Sequence, residues 1–190
     1  MIQRIKDCVQ LRNYLRSTIE DAGLTVEIDQ SLEDSEYAAI KVDDYYKDLH
    51  YKTPPKSVDF LVSVDCACDK YALYILELKN VSSPHFLNIH EIQDKFTTTV
   101  EDFIKNRFKD IFLDEHYRYK SIKLYLVSDA YHICRKASSY EEYKSLQNRI
   151  GKLDSLKIDN QLSQRLYSIG HRICHIEYDI PPNPIIKALH

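Results

Sequence analysis

The amino-acid sequence predicts an α/β fold, a mixed central β-sheet flanked by helices, and three stretches carry that expectation. Two short apolar-rich segments, PKSVDFLVSVD at 55–65 and YALYILELKN at 71–80, bracket the polar stretch CACDK at 66–70, the natural place for a hairpin turn. Residues 88–112, NIHEIQDKFTTTVEDFIKNRFKDIF, set Ile89, Ile92, Phe96, Val100, Phe103, Ile104, Phe108 and Ile111 at near-helical spacing. SIKLYLVS at 121–128 then reads as a strand, so strand, helix and strand succeed one another as in a β-α-β crossover.

The remaining elements follow in order. Residues 2–22 carry Ile2, Ile5, Val9, Leu11, Leu15 and Ile19, which predicts an amphipathic N-terminal helix stopped by Gly23. Thr25 to Ile28 and Tyr37 to Val42 read as weaker strands separated by the acidic turn SLEDSE, and Pro54-Pro55 breaks the chain before the hairpin. NVSSPH after Lys79 reads as a loop. SSYEEYKSLQNRIGK reads as a helix with cap candidates Ser138 and Ser139 and a stop at Gly151. RICHIEYDI at 172–180 reads as a last strand, ended by Pro181-Pro182.

Composition sets the outer limits. A chain of 190 residues with 44% hydrophobic residues can bury a core, and no composition shift divides it, so a single domain over 1–190 is expected. No run of about 18 apolar residues suits a membrane span and no secretory leader is visible, which points to a cytoplasmic protein with no membrane partner. Five cysteines, an odd number, favour reduced thiols over a disulfide framework. With a net charge of −3, the chain as a whole has no nucleic-acid-binding charge signature, so such binding would rest on local basic patches.

The hairpin gathers chemistry. Counting inward from Asp59 and Glu77, the two meet at Cys68, so an antiparallel register centred there sets Asp59 opposite Glu77. Alternate strand residues share a face, which adds Lys79 to the same cluster. Apolar neighbours on both strands mark them as covered on both faces, where charges cost free energy unless paired or bound to an ion. Two carboxylates within about 5 Å repel each other, and a hard divalent cation with oxygen ligands relieves that repulsion. The plain alternative is an ion pair at a strand end, with Lys79 bridged to Glu77.

Asp59, a hairpin, then Glu77-Leu78-Lys79 resembles the core of the PD-(D/E)xK nuclease superfamily, which includes restriction endonucleases, Holliday-junction resolvases and repair nucleases. The resemblance covers the hairpin and the helix after it, over 55–110, and Val58 stands where the superfamily's name has proline. It implies a restriction endonuclease-like core and a DNA endonuclease of restriction, repair or defence type, with RNA a weaker target. It also implies Mg2+, with Mn2+ substituting, held by Asp59, Glu77 and the backbone carbonyl of Leu78. Lys79 would orient or deprotonate the attacking water. A further carboxylate often comes from the N-terminal helix in this superfamily, and Glu20 is the position favoured here, with Glu36 the runner-up. Some relatives place a glutamine or lysine on the downstream helix beside the site, which marks Gln93 and Lys95, although polar residues on a helix are ordinarily a solvated face.

Phosphate contacts are expected from Lys52 and Lys56 and from the basic region 105–123, which alternates with acids and also reads as a mixed surface. Fifteen tyrosines include Tyr45-Tyr46 with Tyr51, and Tyr117 with Tyr119, which suit base stacking or, more plainly, half-buried packing. Cys66-x-Cys68, His132-x-Cys134 and His171-x-x-Cys174-His175 have zinc-ligand types at spacings that fit no standard zinc module. No phosphate loop, GxSxG elbow or HExxH run occurs. Two function classes result: a metal-dependent nuclease acting as a homodimer or within a larger complex, and a non-catalytic protein-interaction subunit with a nuclease-like fold.

Overall fold

The computed structural model describes every residue except 133–135, 138, 140, 143, 147–154 and 190, and only the backbone of 155–157. Along the chain run α1 (Ile2–Asp7), a 3-10 turn, β1 (Leu15–Arg16), β2 (Ile19–Asp21), β3 (Leu24–Val26), β4 (Tyr37–Lys41) and α2 (Val42–Asp48). They are followed by β5 (Phe60–Asp65), β6 (Lys70–Leu78), α3 (Ile89–Thr98) with a π-helical continuation over Thr99–Arg107, α4 (Lys109–Phe112) and β7 (Arg118–Val127). α5 (Ser155–Leu162), β8 (Tyr167–Ile169), β9 (Arg172–Cys174) and β10 (Ile176–Asp179) complete the described elements.

The expected mixed sheet flanked by helices is present. Six strands lie in the order β1-β4-β5-β6-β7-β10. The first four neighbours pair antiparallel, and β7 pairs parallel with both β6 and β10. The hairpin register is the one centred on Cys68, with Phe60 opposite Leu76 and Asp65 opposite Tyr71. Ala67, Cys68 and Asp69 all take positive φ at its turn. Among the described residues no helix is long and apolar enough to cross a membrane.

Alternation along the strands sorts the core into two layers. Leu61, Leu73, Ile75, Leu124 and Leu126 pack with Ile5, Val42, Tyr46, Phe96 and Phe103 beneath the helices. Phe60, Val62, Tyr74, Leu76 and Leu78 pack on the opposite face with Ile19, Val26 and Ile186, from the β2-β3 hairpin and the C-terminal segment. Asp59 and Glu77 fall in the helix-facing parity. The downstream helix can therefore reach them.

Several expectations change at the ends of the chain. The N-terminal helix stops at Asp7, and Cys8 is already extended. Leu15 and Arg16 instead pair with Ile40 and Ala39, and Ile19–Asp21 form a hairpin with Leu24–Val26. Val9, expected on the apolar stripe, is 68% exposed. Strand pairing that buries Leu11 and Ile19 on two different layers outweighs a helical stripe in which Asn13 and the β-branched Thr18 are poor helix formers. Val42 ends no strand; it starts α2. The expected last strand is two strands, β9 pairing with β8 and β10 with β7. Of the expected helix near Ser138 and Ser139, residues 141–142 and 144–146 are helical, while Ser138 and Gly151 lie outside the described residues.

Candidate metal centre

Asp59 is the residue before β5, and its backbone carbonyl accepts a hydrogen bond from the Val42 N–H at 2.9 Å. That bond fixes the start of α2 against the hairpin and sets Asp43, in the first turn of α2, beside the site. The Leu78 N–H donates to Asp59 Oδ2 at 2.7 Å, which ties the two strands of the expected motif together. Glu77, inside β6, is fully buried. Lys79 follows β6, and its N–H donates to the Val127 carbonyl at 2.9 Å, while the Ser128 hydroxyl donates to the Lys79 carbonyl at 2.5 Å. The end of the motif strand is thus clamped to the end of β7 through both backbone groups of Lys79.

The β2-β3 turn completes the cluster. Ala22 and Gly23 take positive φ, the left-handed region that glycine adopts freely, and Asn80 Nδ2 donates to the Ala22 carbonyl at 2.8 Å. This anchors Asp21 over the site. Asp21, Asp43 and Asp59 each offer a carboxylate oxygen, and these three oxygens lie within 4.8 Å of one another. The three carboxylates could hold a metal ion.

Four lysines meet this acidic cluster. Lys41, the last residue of β4, is buried, donates to Asp21 Oδ2, and has Nζ 3.2 Å from Asp43 Oδ1 and 3.7 Å from Asp59 Oδ1. Its ammonium also lies 4.5 Å from the centre of the Phe60 ring. Lys95 on α3 donates to Glu77 Oε1 at 2.6 Å, and Lys79 Nζ lies 3.8 Å from the same oxygen. Glu77 Oε2 is buried with no hydrogen-bond partner among the described residues.

Lys47 Nζ also lies 2.6 Å from Asp43 Oδ2, so with every group ionised four carboxylates face four ammonium groups and the charges balance. The balance shows in the titration of the site. Burial, then the charge of Glu77, pushes the Asp59 carboxyl up to about 8. Burial also raises Glu77, against the attraction of Lys95 and Lys79. Burial disfavours the Lys41 and Lys95 ammoniums, but the surrounding carboxylates outweigh it and hold both above the usual lysine range. Asp21 goes the other way: burial opposes its charge, and the Lys41 ammonium more than compensates.

The residues expected from the sequence fare unequally. Asp59, Glu77, Lys79 and the Leu78 backbone come together. Glu20 does not join them: it lies exposed on β2, because alternation along a strand sends Asp21 to the site and its neighbour to solvent. Glu36 is also exposed, its carboxylate accepting the Glu33 N–H at 2.9 Å within a turn. Gln93 is buried and donates to the Gln161 carbonyl at 3.2 Å, which pins α3 to α5. Lys95 belongs to the carboxylate cluster. Lys52 is exposed, and Lys56 is exposed with Nζ 3.5 Å from Glu91 Oε1.

The other candidate sets disperse. In the basic region, Lys105, Arg107 and Lys123 are paired with Glu101, Asp102 and Glu177, as a mixed surface would be. Tyr45 and Tyr46 pack edge-on with each other and against Phe103, and Arg107 Nη2 donates to the Tyr51 hydroxyl at 2.7 Å. Among the described residues the zinc-type sets do not gather into a metal-binding group; Cys66 is buried, Cys68 exposed, and Cys134 lies outside the described residues.

Asp21, Asp43 and Lys41 were missed by sequence reasoning. The signal available was local: Asp21 precedes an Ala-Gly turn, and Asp43 opens a short helix, where an acid ordinarily complements the helix N-terminus. Neither pattern names a ligand. No family model, no curated protein and no solved structure matches the chain.

Proposed function

We propose that the chain is a metal-dependent nuclease with a restriction endonuclease-like core, hydrolysing phosphodiester bonds in nucleic acid, DNA before RNA. The observation that carries this reading is the fully buried Glu77 beside Asp59 at the end of one hairpin, with Lys79 3.8 Å from Glu77 Oε1 at the rim. A buried carboxylate oxygen without a partner and an all-oxygen donor set of Asp21, Asp43 and Asp59 fit a hard divalent cation such as Mg2+. That ion, held by these three carboxylates with Glu77 alongside, would supply Lewis-acid stabilisation of the phosphate's growing charge and an acidified water.

The chain's own residues have separable tasks. Asp59 is held by the Leu78 N–H and presents its other oxygen to the cluster. Lys79, with a third of its side chain exposed, is an ammonium that reaches solvent, where it would neutralise a phosphate oxygen and orient the attacking water. Lys95 balances Glu77 from the helix side of the sheet. Lys52 and Lys56, exposed on the segment that leads into the hairpin, would contact the nucleic-acid backbone.

A second reading, a non-catalytic protein-interaction subunit, is favoured by one observation. Lys41 and Lys95 already neutralise much of the acidic cluster, as a purely structural ion-pair network would. Cleavage separates the two. Purified protein is incubated with plasmid, linear duplex, single-stranded DNA and RNA in Mg2+, Mn2+ or EDTA. Metal-dependent cutting supports the nuclease; a folded protein that cuts none of them supports the interaction subunit.

A further inference from the structure

Lys41 occupies the position that a cation bound by the three aspartates would need. Its ammonium is bonded to Asp21 and lies 3.2 and 3.7 Å from Asp43 and Asp59. The carboxylates it touches are the three whose oxygens converge within 4.8 Å. A second observation comes from outside that trio: Glu77, with no exposed side-chain surface, keeps Oε2 unpartnered while Oε1 is taken by Lys95. The site therefore has a cation of its own and an unused acceptor next to it.

We propose that Lys41 is a built-in competitor for the metal: its ammonium and a divalent cation take the same three carboxylates in alternation, so loading of the site requires Lys41 to swing out. This inference rests on the reading of the cluster as a metal centre. The physics is direct. An ammonium and a divalent cation a few Å apart repel strongly wherever water is scarce, and the three aspartates cannot satisfy both at bonding distance. Lysine suits the task because its compact charge sits on a flexible four-carbon stem, which can leave without backbone movement. In the metal-free protein the same ammonium, with Lys47 on Asp43 Oδ2 at 2.6 Å, offsets the repulsion of three crowded carboxylates. Lys95 is not equivalent: it contacts Glu77 alone among the acids of the site and lies on a different element.

The test is calorimetric Mn2+ binding to the wild type, Lys41→Met and Lys41→Met/Asp59→Asn, joined to amine labelling of the wild type. Methionine keeps the stem's volume and removes the charge. Lys41→Met is expected to bind Mn2+ about tenfold or more tightly than the wild type, within the usual span of coupling between competing ligands, and the double variant to lose that gain. Should removal of the charge unfold the protein, the second measurement stands by itself. Acetylation of the wild type by acetic anhydride, read by mass spectrometry, should rise several-fold at Lys41 on adding Mg2+ and stay level at Lys95. Equal or weaker Mn2+ binding by folded Lys41→Met, or unchanged labelling at saturating metal, would overturn the competition while leaving the metal centre intact. No binding by any folded variant would overturn both.

Discussion

Lys95 Nζ lies 2.6 Å from Glu77 Oε1, closer than the 3.8 Å of Lys79, so the helix lysine and not the motif lysine neutralises the buried carboxylate. This leaves Lys79 partly exposed at the rim. It also makes the fold depend on Lys95, because a buried charge without its partner is expensive.

Lys95→Met should therefore destabilise the protein by about 3–5 kcal/mol at pH 7, the usual cost of removing one partner of a buried ion pair. Urea unfolding measures it. Glu77→Gln combined with Lys95→Met should recover much of the loss, since neither charge remains. A single variant as stable as the wild type would mean that Glu77 is already neutral at that pH.

The carboxylate that joins the hairpin acids is Asp21 and not its neighbour Glu20. Asp21→Asn should weaken Mn2+ binding by at least about tenfold, corresponding to about 1.4 kcal/mol, whereas Glu20→Gln should leave it unchanged. Calorimetry on the two proteins checks this. The opposite order would place the β2-β3 hairpin one residue out of register.

Asp179, at the end of β10, offers a pH test away from the candidate metal centre. Burial pushes its carboxyl up from 3.8 to about 6. The folded state thus holds this proton more tightly than the unfolded chain, and the group's stabilising contribution is full below about 4 and is lost as pH rises through 6. Asp179→Asn should raise Tm relative to the wild type at pH 7, and the gap should close by pH 4. A gap that is constant between pH 4 and 7 would show that Asp179 titrates normally in the fold.

The hairpin was legible in the sequence because two apolar stretches of similar length flank one polar turn, and counting from Asp59 and Glu77 lands on Cys68. Glu77 and Lys79 then follow from strand parity. The helix face was legible as well, since Phe96, Val100 and Phe103 repeat at helical spacing and all three are fully buried. The N-terminal region was not. Strands of two or three residues such as Leu15–Arg16 and Ile19–Asp21 carry no periodicity of their own; they exist because β4 and β3 pair with them. For the same reason Asp21 could not be told from Glu20. Lys41 reads in sequence as a charge at a strand end, where lysine is ordinarily solvated, and only the convergence of three separate elements reveals that it is surrounded by acids.

The most direct test of the account is single-turnover cleavage of an end-labelled nucleic-acid substrate by wild type, Asp59→Asn and Lys79→Ala, in Mg2+ and in EDTA. The account predicts cutting by the wild type that needs the metal, vanishes in Asp59→Asn, and falls by about 100-fold or more in Lys79→Ala, as for loss of a group that activates water. Cutting that persists in EDTA, or in both folded variants at the wild-type rate, would contradict it.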